Sequence, residues 1–105
     1  MENVFNTLAE VLKPEPNPEP NRQDLYIQYR KKAIEFAESY KENVSDHIIE
    51  VMVSVCMTRD KIWSGGSFAQ AVVNNSLNES ISRADTDCLK NLRIITLASN
   101  YCYLN

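Results

Sequence analysis

A chain of 105 residues, with 14 acidic against 11 basic side chains and a formal charge of −3, has room for one domain. Its mixed, slightly acidic surface offers no extended positive face, which argues against nucleic acid as a partner. No apolar run approaches the length of a membrane span, and Met1–Phe5 lacks the positive flank and apolar stretch of a secretory signal, so a place in the cytoplasm is expected.

Val4 or Phe5, with Leu8, Val11 and Leu12, recur at helical spacing and predict a short amphipathic helix over residues 2–12. The following Pro14-Glu15-Pro16-Asn17-Pro18-Glu19-Pro20 forbids a helix and favours an extended polyproline strut of about 20 Å. Residues 1–20 therefore read as a helical arm on a proline-rich strut, and residues 21–105 as the helical domain. A helix so short is marginal alone in water, so Phe5, Leu8 and Leu12 are expected to dock on a partner or a second copy of the chain.

Asn21 is positioned to cap a second helix running to about Glu42, with Tyr26, Tyr29, Ala33, Phe36, Ala37 and Tyr40 as its apolar stripe. Asn43 can end it. Ser45 and Asp46 suit the start of a third helix. Residues 48–57 are rich in β-branched side chains, and a strand competes there. Glu50, Ser54, Thr58 and Lys61 recur at a helical interval, which predicts a central helix, apolar on most of its circumference, ending at Trp63 and Ser64.

Gly65 and Gly66 supply the freedom to end that helix, and Ser67 with Gln70 forms an S-x-x-Q capping box for the next. The fourth helix carries two stripes, Phe68, Ala71 and Val72 on one side and Val73, Leu77, Ile81 and Ala84 on the other, as a sandwiched helix would. Asp85 or Thr86 can cap a fifth, bearing Leu89, Leu92, Ile95, Ala98 and Cys102, or the fourth and fifth run on as one bent rod, since no glycine or proline separates them. The tail is apolar for a terminus, and Tyr101 and Tyr103 join the arm as expected partner-binding residues. The fold class is thus all-α, a bundle of four to five helices.

Catalysis needs a nucleophile, a base and a charge stabiliser within reach of one another. His47 is the only histidine, and Cys56, nine residues on, stands about 13 Å along the same helix. His47 reads as a partly exposed first-turn residue, and no catalytic set is assigned. One histidine and the scattered Cys56, Cys88 and Cys102 give no metal spacing, and the thiols read as small apolar core residues. No cofactor is implied. Gly65 and Gly66 before a helix start could hold an anion, although no phosphate-binding motif accompanies them. Asn75 falls on the Phe68 and Val72 stripe, so its amide is expected to be buried. With Gly65, Gly66, Arg83 and Asp85 it makes a candidate polar clamp or ligand site.

The segment from Gly65 to Leu92 resembles small proteins of bacteriophages and prophages that share a Gly-Gly-Phe turn, then A-[VL]-[LV]-x-N-D-L, R-A-D-x-x-N and an apolar helix. Gly65, Gly66, Phe68, Ala71, Val72, Val73, Asn75, Leu77, Arg83, Ala84 and Asp85 fit that pattern. Ser67 is an insertion, Ser76 replaces the family's Asp, and Cys88 stands at its Asn. The resemblance implies a phage or prophage origin and no reaction. The expected function is non-enzymatic binding of a protein, either the chain itself as a homo-oligomer or a host protein, the sharper form being an inhibitor of a host defence or transcription complex. A regulator that binds a small molecule or nucleotide at the Gly65-Gly66 helix start is the alternative.

Overall fold

The computed structural model describes residues 22–104. The arm, with Phe5, Leu8 and Leu12, the strut and the Asn21 cap lie outside the described residues. Among these residues the structure has six helices and no strand: α1 (Arg22–Ser39), α2 (Asp46–Arg59), α3 (Ser67–Val73), α4 (Leu77–Arg83), α5 (Thr86–Lys90) and α6 (Leu92–Tyr101).

α2 is the axle of the bundle. Ser45 caps it, its side chain accepting from Ile48 N–H, and Asp46 adds a carboxylate in the first turn. Ile48, Ile49, Met52, Val53, Val55, Cys56 and Met57 are all buried, so the β-branched run is helical because neighbours cover it on nearly every side. α1, α3 and α6 supply that cover, and α5 touches α2 near its start. From α1 come Tyr29, Ala33 and Ala37, the two alanines allowing close approach. Tyr26 and Phe36 are half-buried, and Tyr40, expected on the buried stripe, is exposed. From α6 come Ile94, Ile95 and Ala98, followed by Cys102.

Three helices stop in one way, and it is not through glycine. Lys41, Lys61 and Asn75 have φ of 58°, 63° and 60°, in the left-handed region, while neither glycine has positive φ. At each, paired backbone bonds close the helix end: Lys41 to Glu38 and Glu42 to Ala37, Lys61 to Thr58 and Ile62 to Met57, Asn75 to Val72 and Ser76 to Ala71. These are Schellman motifs. α1 thus ends through Lys41 and not at Asn43, and α2 ends at Arg59, short of Trp63 and Ser64.

The third motif corrects two expectations. It splits the single helix expected from Ser67 into α3 and α4, and it turns the Asn75 amide outward, so that Asn75 is exposed and not buried on the Phe68 stripe. The expected second stripe holds at Val73 and Ala84, which pack against the core, and fails between them. Leu77 and Ile81 face solvent, because the reversal at Asn75 puts α4 on a new heading. Leu89 is exposed as well, on a five-residue helix that Asn91 separates from α6.

The capping box does not form. Gly66 is the N-cap of α3 with no side-chain bond, and Ser67 is already inside the helix. Gln70 instead donates through Nε2 to Gly65 O at 2.8 Å and Ser64 Oγ at 3.1 Å, which braces the incoming loop. Gly65 is there for space. Its N–H donates to Thr58 Oγ1, and a Cβ at this position would fall inside contact distance of that hydroxyl and 3.0 Å from Ser54 Oγ and Ala69 Cβ. Only glycine lets the loop lie this close to α2.

Candidate functional site

Besides the exposed network of Tyr26 and Arg30 on α1 with Asp46 and Glu50 on α2, two groups of polar side chains are assembled across the bundle. The first closes its C-terminal end. Arg59, at the last turn of α2, grips Asp60 through Nε and Nη2 at 2.8 and 2.7 Å, and donates through Nη1 to Ala98 O at 3.2 Å and Ser99 O at 3.0 Å. Its guanidinium also lies 4.0 Å from the Tyr103 ring centroid, a stacked cation–π contact. Tyr29 Oη donates to Asp60 Oδ2 at 2.7 Å. The Arg59 bonds hold the Asp60 carboxyl below its ordinary range, and burial together with the Asp60 bond raises the Tyr29 phenol. With the Asp60 carboxylate held from both sides and Arg59 bonded to it and to α6, this is a structural lock that ties α1, α2 and α6 together. It also fixes the tail: Cys102 is buried and Leu104 half-buried, whereas Tyr101 is 64% exposed.

The second group lies where α5 meets the start of α2. Asp85 caps α5, its Oδ1 accepting from Cys88 N–H at 2.7 Å, as the sequence led us to expect. The same carboxylate has a second role. Its Oδ2 lies 3.0 Å from His47 Nε2, and because a carboxylate only accepts, that ring nitrogen carries the shared proton. The Cys88 N–H bond, followed by the His47 contact, lowers the Asp85 carboxyl from its usual value. Burial, followed by the Asp85 carboxylate, pushes the Cys88 thiol up to about 11. The donor atoms of His47, Asp85 and Cys88 all lie within 4.8 Å of one another. They border a hollow of about 250 Å³ whose other walls include Val51, Phe68, Gly66 and Arg83.

The candidate clamp is therefore only partly assembled. Gly66, Arg83 and Asp85 share the hollow, and Gly65 adjoins it in sequence, but Asn75 belongs to a different depression, with Leu77, Ser80 and Leu92. His47 and Cys88, which sequence reasoning left out of any site, are the residues that join Asp85. Their separation of 41 positions gives no local spacing to recognise, and the cap at Asp85 was the one legible part. Cys56 and Cys102 are buried in the core, in keeping with the apolar role expected of them.

No family model, curated protein or solved structure matches the chain. Among the described residues, no helix is long and apolar enough to cross a membrane.

Proposed function

We propose that the chain is a non-enzymatic protein of phage or prophage origin that works in the host cytoplasm by binding another protein. The carrying observation is the outward face of α4. This helix packs chiefly on α3, and Leu77 and Ile81, one turn apart, are 66% and 44% exposed. Two large aliphatic side chains on a seven-residue helix with one supporting neighbour are more than solubility favours, and such faces mark contact surfaces. Ile27 on α1 and Leu89 on α5 add exposed apolar area elsewhere. The likeness of the Gly65–Leu92 segment to phage and prophage proteins supports the origin, and a host defence or transcription complex is the partner class that such an origin favours. A nucleotide cradle at the Gly65-Gly66 turn has less support, since Gly65 N–H is already bound to Thr58 Oγ1.

The double variant L77E/I81E tests the reading, with circular dichroism and melting showing that the fold is kept. Expected is a wild-type chain that sediments above the mass of one copy, or holds a host protein in affinity capture, and a variant that has lost that association. A wild-type chain that stays monomeric and captures nothing overturns the proposal, and so does a variant that associates as wild type does.

A further inference from the structure

We propose that His47, Asp85 and Cys88 form a three-ligand site for a zinc-type divalent cation. An imidazole, a carboxylate and a thiol are the three side-chain types that zinc takes, and the inclusion of sulfur selects zinc or cobalt over magnesium and calcium. A tetrahedral zinc with bonds of about 2.0 Å to nitrogen or oxygen and about 2.3 Å to sulfur holds its donors about 3.3 to 3.6 Å apart. The His47 Nε2 to Asp85 Oδ2 separation of 3.0 Å is close to that, and no pair in the cluster exceeds 4.8 Å. The wider pairs must draw together by up to about 1.5 Å on binding.

The backbone supports the ligands from behind. Asp85 Oδ1 remains bonded to Cys88 N–H, which orients the carboxylate and holds the thiol-bearing residue beside it, as the outer partners in built metal sites do. His47 stands in the first turn of α2, whose start Ser45 caps. Two of the ligands thus come from one cap and its first turn, and the third from the rigid axle of the fold.

On binding, the Cys88 S–H proton leaves to solvent as the Zn–S bond forms. The imidazole proton moves from Nε2 to Nδ1 through solvent, freeing the Nε2 lone pair, and Asp85 Oδ2 exchanges its hydrogen bond for the metal. One carboxylate and one thiolate neutralise the dication. Arg83, at the wall of the same hollow, then faces a neutral centre with a fourth position open, and its charge suits an anionic fourth ligand such as chloride.

Cobalt(II) added to the full-length reduced chain is the probe, with zinc as competitor. Expected are one equivalent bound, the visible bands of four-coordinate cobalt, a near-ultraviolet thiolate-to-cobalt charge-transfer band, and displacement of all of these by zinc. Cys88→Ser removes the charge-transfer band. Because Cys88 is buried and that variant can lose its fold, the exposed His47→Ala provides a second test: it retains the helical spectrum and binds zinc at least about tenfold more weakly, with the zinc-induced rise in melting temperature reduced. Absence of stoichiometric binding, cobalt bound without the thiolate band, or a folded His47→Ala chain that binds as wild type does would each overturn the site.

Discussion

Gly65 and Gly66 are neighbours with different duties, and substitution separates them. Gly65→Ala forces a methyl against Thr58 Oγ1, Ser54 and Ala69, at a place where α2 cannot retreat, and is expected to cost about 1 to 3 kcal/mol. Gly66→Ala meets nothing within 4 Å and should cost less, about 0.5 kcal/mol for the weaker N-cap of α3. Urea unfolding of the two variants checks this, and equal midpoints would count against the close approach. Asn75→Ala is likewise expected to destabilise more than Asn74→Ala, by about 1 kcal/mol, though not through a buried amide. The cause is its φ of 60°, which alanine tolerates less well than asparagine. Asn75→Gly, free of that strain, should keep the wild-type midpoint or exceed it. Asp60 carries a pH dependence of known sign. Its carboxyl titrates lower in the folded chain than in the unfolded one, so the Arg59–Asp60 contribution is complete above the unfolded value and fades as pH falls through the folded one. Melting curves between about pH 6 and 3 should show a smaller acid loss for Asp60→Asn than for wild type.

At the scale of elements, Arg59 joins α2 to the end of α6. Its bonds reach two carbonyls of the last turn, Ala98 O, which also accepts from Cys102 N–H, and Ser99 O. Arg59→Met should keep much of the packing stem yet cost about 2 to 3 kcal/mol, with faster amide exchange at residues 99–103 than at 48–57. Uniform acceleration across both segments would show that the contact stabilises the fold only globally. The elements also show what the sequence could disclose. α1 and α2 were legible because long apolar periodicities and the Ser45 cap agree with the burial they receive. The α3–α4 break was hidden because Asn75, and not a glycine, occupies the left-handed turn, and asparagine marks a helix end less plainly than glycine does. Leu77 and Ile81 kept a helical spacing across that break, and spacing does not reveal a change of direction. Within the candidate site, Asp85 announced itself as a cap, whereas the approach of His47 depends on how α5 docks against α2 and leaves no trace in local pattern.

For the whole molecule, the buried core of the described residues draws on five of the helices through apolar residues from Tyr29 to Cys102. A chain lacking residues 1–20 is therefore expected to unfold cooperatively, as a domain with its own core does. If the arm supplies the contact between copies, the same truncation lowers the sedimenting mass. A noncooperative melt would show instead that the arm completes the core. The placement of the thiols has a further experimental use. Cys56 is in the central helix, Cys88 on the five-residue α5 and Cys102 at the end of α6, and all three are buried. An alkylating reagent can reach each only when its own neighbourhood opens, so the unmodified chain carries three native reporters of local breathing. In metal-free buffer, mass-resolved capture should proceed at Cys88 before Cys56. The order of labelling then gives a map of which part of the bundle yields first, with no probe attached and no residue changed.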